Sequence, residues 1–275
     1  MTSKIPPKTD TAPLALSHRP QEAPPRRIKL RHITPSLVTI FAICAGLTSV
    51  RMSMEGNLSA ALYLVIFAVF LDGVDGKIAR YLDAASPFGA ELDSLADFFN
   101  FGIAPGILIY TSIYSGTPYE NLGWLSCLVL AVCCALRLAR FNLAMDVVEP
   151  GQEPDKYFVG VPAPALACLA LMPTFLLLLG GTWLSQAGYA VAIYVIGIGL
   201  LAVSTLPTFS IKNASLRREW LPGFVVCAVV VVMCLLVYPW ATLAVANLAY
   251  LASMPVTYTL ARKQNARAQP SSSPR

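Results

Sequence analysis

Between Phe70 and Phe99 the chain reads FLDGVDGKIARYLDAASPFGAELDSLADFF. This stretch holds Asp72, Asp75, Asp83, Glu91, Asp93 and Asp97, yet both its ends lie in apolar segments. Ionisable groups at membrane depth are costly and mark function by default. On a helix, Asp72 and Asp75 are three apart and share a face. Gly76 and Ala79 continue that stripe, and Arg80 completes it. Gly89, Asp93 and Asp97 are spaced four and four, which makes a second stripe. The connection from Tyr81 to Pro87 is short, so the two helices are antiparallel neighbours with facing acidic stripes. Asp83 falls in the loop. Glu91 lies about 200° around the helix from Asp93, and reads as an acid supporting the helix start.

Four converging carboxylates repel one another unless cations join them. The donor set is all oxygen, with no Cys or His, which suits the hard ions Mg²⁺ or Mn²⁺. Four carboxylates on two helices suit two ions better than one. Beside a phosphate, a two-metal site activates an attacking oxygen and stabilises a leaving one. Gly76, Ala79 and Gly89 allow close helix packing and also leave room for a bulky substrate. The competing readings are a structural polar patch and an ion pathway. Matched stripes with Gly and Arg at set places favour the metal site.

The elements that must hold these acids are membrane helices. The chain has 275 residues, 56% hydrophobic and only 13% charged, against about 25% charged in an ordinary soluble domain. Its apolar residues come in long blocks, and a span needs about 20 of them. Lipid-facing structure without barrel alternation is helical. The expected fold is therefore an all-α, polytopic membrane helix bundle of about eight transmembrane helices. The expected spans are Pro35–Met54, Ala60–Tyr81, Phe88–Tyr114, Leu122–Leu143, Val159–Gly180, Ala187–Pro207, Trp220–Val237 and Pro239–Leu260. Residues 31–261 form the transmembrane catalytic domain. Residues 1–30 and 262–275 read as disordered cytoplasmic tails by composition.

Lys and Arg gather in the N-terminal tail and in alternate loops, near Lys77, Arg140, Lys212 and Arg262. That pattern puts both termini in the cytoplasm. Arg51 is the exception, near a span end from which it can snorkel. The net charge of +5 reads as a basic cytoplasmic face towards anionic lipid. No nucleic-acid motif is present, so no nucleic-acid partner is expected. The seven cysteines lie in apolar segments and read as small buried residues. His18 and His32 lie in or beside the N-terminal tail, which makes histidine a poor catalyst here. The N-terminus carries no cleavable signal pattern.

The order Asp72, Asp75-Gly76, Ala79-Arg80, Gly89, Asp93, Asp97 resembles the signature of the CDP-alcohol phosphotransferases, D-x2-D-G-x2-A-R-x8-G-x3-D-x3-D. All eight fixed positions are present over a 26-residue window, a far more specific match than a lone DxxD. The resemblance implies a helical membrane enzyme with a six-helix core, commonly dimeric. Such an enzyme transfers a phosphoalcohol group from a CDP-linked donor to a hydroxyl and releases CMP. It implies that Asp72, Asp75, Asp93 and Asp97 hold two divalent cations, with Asp97 also the general base. It implies further that Gly76 and Arg80, with Ser86, hold the CDP headgroup and its phosphates, on a donor surface that includes Ala79 and Gly89.

Three further stretches resemble the serine-using branch of that family. They are GAELDSLADFFNFGIAP, RLARFN from Arg137 to Asn142, and FVGVPAPA from Phe158 to Ala165. The implied substrates are CDP-diacylglycerol and L-serine, and the implied home is a bacterial inner membrane. One departure is ITPSLVT, where Ser36 stands in place of the Asn that often follows the first proline. There Thr34 suits a helix cap and Pro35 the first helical position.

Arg137 and Arg140 are three apart on one face at the end of span four. Arg suits bidentate recognition of a carboxylate or a phosphate, and Asn142 is a weaker candidate for contacting the amino acid. The alternative for both arginines is that they only obey the positive-inside rule. Alternatives for the function are another acceptor (choline, glycerol 3-phosphate or inositol phosphate), an intramembrane prenyltransferase, or a cation transporter.

Overall fold

The computed structural model describes residues 33–81, 86–146, 158–159, 161–204, 207–208 and 221–268. Asp83 and the tail 1–30 lie outside the described residues, as do the side chains of Ala79 and Arg80.

Among the described residues the architecture is all-helical apart from one short antiparallel pairing, Phe158–Val159 with Pro207–Thr208. Helix α1 spans Ile33–Met54 and α2 spans Leu58–Tyr81. Helix α1 begins at Ile33, so Thr34 and Pro35 lie inside its first turn instead of at its cap. Proline is tolerated there because first-turn N–H groups have no helical partner. Asn57 Oδ1 accepts from the Ala60 N–H at 3.2 Å and starts α2. At the other end of α1, Arg51 pairs with Glu55 at 2.8 Å. This one-turn pair balances the basic residue that the topology pattern left as an exception.

The third span is continuous from Pro87 to Tyr114 but not uniformly α-helical. Helix α3 covers Pro87–Asp97, a π-helical segment follows at Phe98–Ile103, α4 covers Ala104–Ile109, and Tyr110–Tyr114 is π-helical again. Pro105 has no N–H for the Phe101 carbonyl, and the chain widens just before it, with the Ala104 N–H reaching Phe99 O. Helix α5 is Glu120–Asp146.

The expected fifth span is two helices, α6 (Ala163–Ala170) and α7 (Met172–Leu178), broken at Leu171. Pro173 causes the break by removing the donor for Leu169 O. That freed carbonyl instead accepts from the Tyr194 hydroxyl at 2.8 Å. Helix α8 spans Gly188–Val203 and ends at Ser204 in an extended conformation, short of the expected Pro207. Helix α9 is Leu221–Val237 and α10 is Pro239–Ala268.

Among the described residues, four helical stretches are long and apolar enough to cross a membrane: Ser36–Met54, Leu58–Ile78, Pro87–Tyr114 and Glu120–Leu143. Gly188–Val203 and Val225–Val237 are shorter apolar helices. Helix α10 runs to Ala268, past the boundary at 261 drawn from composition. Its last residues, ARKQNARA, are polar yet mostly good helix formers, so polarity alone did not end the helix.

The core sits where α2, the third span, α5, α6 and α8 meet, around Leu62, Phe101, Leu108, Tyr114, Leu130 and Leu166. The Tyr114 hydroxyl donates to Gly188 O at 3.0 Å and ties the third span to α8. Gly123 makes this possible, since a β-carbon there would fall 2.2 Å from the Tyr114 ring. All seven cysteines are free, but Cys44, Cys227 and Cys234 are exposed instead of buried. They lie on outward faces, where lipid accepts a thiol as readily as a core does. Helix α9 is exposed along most of its described length, including Val226, Val229, Val232 and Leu236, as a helix bathed in lipid would be.

Candidate active site

Helix α3 is positioned by its first four residues. Ser86 is extended at φ −135° and accepts from the Gly89 N–H at 3.0 Å, while Pro87 opens the helix. This cap was readable as Ser-Pro before a helical pattern. It gives Ser86 a local structural duty beside any donor contact. A β-carbon on Gly89 would lie 3.1 Å from Ser86 Oγ and 3.8 Å from Ser36 Oγ. Gly89 therefore faces α1 at Ser36. Gly76 differs, because a β-carbon there would meet no described atom within 4 Å. Its missing side chain serves open space and not helix packing.

The two acidic stripes do meet. Asp72, Asp75 and Asp93 each bring a carboxylate oxygen within 4.8 Å of the others. Asp75 is the most enclosed, 4% exposed, and its Oδ2 accepts from Thr39 Oγ1 at 2.9 Å. Asp97 lies one turn beyond Asp93, within hydrogen-bonding reach of Asp72. Its Oδ1 is buried with no partner among the described residues. Glu91 is exposed and stands apart from the cluster.

Among the described residues no Lys or Arg forms a salt bridge with these four acids; the pair that does form is Arg51–Glu55. Oxygen ligands alone, packed this closely with a buried oxygen left over, fit a hard divalent cation. Asp72, Asp75 and Asp93 would hold it, and Asp97 stands at its edge.

Thr39 was not legible as a site residue. It is a hydroxyl on an apolar helix, and its partner lies 36 residues away. Ser36 stands out in the sequence only as a departure from a pattern, whereas the fold sets it beside Gly89.

The basic group at the end of α5 is divided by the fold. Arg137 donates its Nε to Val161 O at 2.5 Å, and its guanidinium lies within electrostatic reach of Asp97. Arg140 donates to Val203 O at 2.8 Å and Ser204 O at 3.3 Å, which closes the C-terminus of α8. Asn142 donates Nδ2 to Ser94 Oγ at 3.0 Å, tying α5 to α3 next to Asp93. So Arg137 joins the acidic site, Asn142 borders it, and Arg140 is turned towards α8.

Comparison with known proteins agrees with this geometry. The CDP-alcohol phosphatidyltransferase family model matches residues 32–203, and a second, CDP-alcohol phosphatidyltransferase 2, matches residues 219–255. The chain is 37% identical over 232 residues to the CDP-diacylglycerol–serine O-phosphatidyltransferase of Mycobacterium leprae, covering 84% of this chain and 76% of that one. The protein of the same name from Bacillus subtilis is 35% identical over 139 residues, 50% of this chain and 73% of its own length. The one from Methanocaldococcus jannaschii is 34% identical over 169 residues, 62% of this chain and 70% of its own. With this coverage and an acidic cluster built as the signature requires, the chain belongs to the CDP-alcohol phosphatidyltransferase family.

Proposed function

We propose that this membrane protein transfers the phosphatidyl group of CDP-diacylglycerol to the hydroxyl of L-serine, giving phosphatidylserine and CMP. The observation that carries the reading is the convergence of Asp72, Asp75 and Asp93 within 4.8 Å, beside the unpartnered Asp97 oxygen. Serine as acceptor is supported by the activity named for the relatives.

Asp97 is the general base. Its free Oδ1 accepts the serine hydroxyl proton as the serine oxygen attacks the phosphorus that carries diacylglycerol. The bond from that phosphorus to the bridging oxygen breaks, and CMP leaves with the electron pair. Two divalent cations, Mg²⁺ or Mn²⁺, when bound at the aspartates, neutralise the diphosphate and the departing CMP. Thr39 orients Asp75 through its hydrogen bond. Gly76 leaves space for the donor, and the binding of the CDP headgroup falls to Ala79, Arg80, Ser86 and Gly89 by their places in the signature window. Arg137 offers its terminal amino groups to the serine carboxylate. Asn142 and Arg140 hold α5 against α3 and α8, which sets where Arg137 points.

In the same reading the protein has about eight spans, both termini in the cytoplasm, and works as a homodimer in a bacterial inner membrane. Residues 31–261 are its catalytic domain. The test is to incubate membranes containing the protein with CDP-diacylglycerol, Mn²⁺ and one labelled acceptor at a time. Serine should be incorporated with stoichiometric CMP release, and a chelator should abolish both. Labelling from glycerol 3-phosphate, choline or inositol phosphate but not from serine would sink the acceptor assignment. Full turnover in chelator would sink the metal site.

A further inference from the structure

Four buried side-chain atoms have no hydrogen-bond partner among the described residues: Asp97 Oδ1, Asn100 Oδ1, Thr174 Oγ1 and the Tyr250 hydroxyl. Two of the four flank one residue. Arg137 lies within electrostatic reach of both Asp97 and Tyr250. Its own recorded bond uses only Nε, so both terminal amino groups are uncommitted among the described residues. A buried hydroxyl with no partner is destabilising, and a guanidinium has donors to spare on its outer edge. The guanidinium can donate to the hydroxyl oxygen but cannot accept its proton, so that proton and the spare guanidinium donors still need an acceptor. An anion set between them satisfies both.

The packing of α10 explains how Tyr250 reaches this place. The Trp240 ring stacks on Phe175 with centroids 6.1 Å apart, and Asn247 Nδ2 donates to Cys168 O at 2.7 Å. Seven residues forward on α10 match seven residues back along α7 and α6, so the helices run antiparallel in a fixed register. The next turn of α10 brings Tyr250 level with Ala165 at the start of α6, and Tyr250 and Met254 pack against the core that includes Val161. Val161 O is the carbonyl that anchors Arg137. Tyr250 therefore stands near the start of α6, beside the place where Arg137 is held and within its electrostatic reach.

We propose that Tyr250 completes the acceptor site: its hydroxyl donates to the carboxylate of the amino-acid acceptor, alongside the terminal amino groups of Arg137. This rests on serine being the acceptor. It extends that reading to α10, which lies beyond the part of the chain matched by the first family model. The serine hydroxyl then faces Asp97 while its carboxylate faces Arg137 and Tyr250, so one small molecule spans the two orphaned groups. Helix α10 thus contributes to acceptor choice, while α2 and α3 carry the chemistry common to all acceptors.

The test is Tyr250→Phe in the full chain, in native-like lipid, with steady-state kinetics in serine and in CDP-diacylglycerol. The ring stays, so packing is kept. The KM for serine should rise about tenfold or more, the loss of a hydrogen bond to a charged group. The KM for CDP-diacylglycerol should not change, and kcat should stay within about twofold. Turnover with ethanolamine, which lacks the carboxylate, should be the same in both proteins, so the preference for serine falls. The thermal midpoint should be equal or higher, since a buried unpaired hydroxyl is gone. An unchanged serine KM in a wild-type background that uses serine overturns the role of Tyr250 and leaves the acceptor assignment standing. Equal losses for serine, ethanolamine and CDP-diacylglycerol, with a lowered midpoint, mean Tyr250 only supports the fold. A wild type that makes no phosphatidylserine overturns both readings.

Discussion

The acidic corner on α2 and α3 and the basic end of α5 present the same kind of pattern and behave differently. Asp72 with Asp75, and Asp93 with Asp97, are three and four apart, and Arg137 and Arg140 are three apart. The acids stay together and share one small space. Arg137, Arg140 and Asn142 go to three different elements, the start of α6, the end of α8 and the middle of α3. Helical period says which residues share a face. It does not say which neighbour each one meets. A carboxylate among apolar helices has few donors to choose from, and Asp75 takes the Thr39 hydroxyl and the Gly76 backbone. An arginine has five donors, and every helix end nearby offers unpaired carbonyls. The competition for a cation is settled by tertiary neighbours.

This contrast predicts a graded series. Asp97→Asn should have the largest effect, a fall in turnover of about 10²–10⁴-fold with CDP-diacylglycerol binding retained. CMP release in single-turnover assays measures the first, and donor-protected thermal shift the second. Near-normal turnover would mean that the acidic corner holds metal but supplies no base.

Arg137→Ala comes next. It should raise the serine KM by about tenfold or more through loss of a charge-assisted bond, with a smaller change in the KM for CDP-diacylglycerol. If serine saturation is unchanged, the basic end of α5 serves the fold alone, and the two regions are even less alike.

Thr39→Val should act on the acidic corner without removing a carboxylate. The Mn²⁺ concentration for half-maximal activity should rise several-fold, on the order of one hydrogen bond to a charged group. A metal titration that does not move would show that Asp75 is positioned by packing and not by α1.

The smallest kinetic effect belongs to Arg140→Ala. Serine dependence should stay put while the protein loses about 1–3 kcal/mol from the end of α8, read as a lower thermal midpoint in detergent–lipid micelles. A shifted serine KM with no loss of stability would return Arg140 to the acceptor site and restore the symmetry with Arg137.

The acidic site was legible because α3 is regular from Pro87 through Asp97. The π-helical segment begins one residue later, at Phe98. Had it begun a turn earlier, the spacing of four and four would have misplaced Asp97. The prolines that reshape the helices were visible, but their consequences were not. Pro105 lies in a helix that widens ahead of it, whereas Pro173 breaks one outright. The difference lies in what can take the freed carbonyl, and Tyr194 on α8 does so for Leu169. Thr39, Ser36 and Tyr250 gave no signal because a lone hydroxyl on an apolar helix has no period of its own.

What the sequence determined by itself is the chemistry: which acids share a face, that two short-looped helices present them to each other, and that oxygen ligands of this kind suit a hard cation. Those follow from the helical repeat and from loop length, which act over a few residues. What only the tertiary structure decided is how the acceptor side is divided. Arg137 reaches a carbonyl 24 residues away and Arg140 one 64 away, and Tyr250 is levelled with them by the register of α10 on α6. Each of those outcomes is a choice among partners distant in the chain, and only packing brings the candidates within reach.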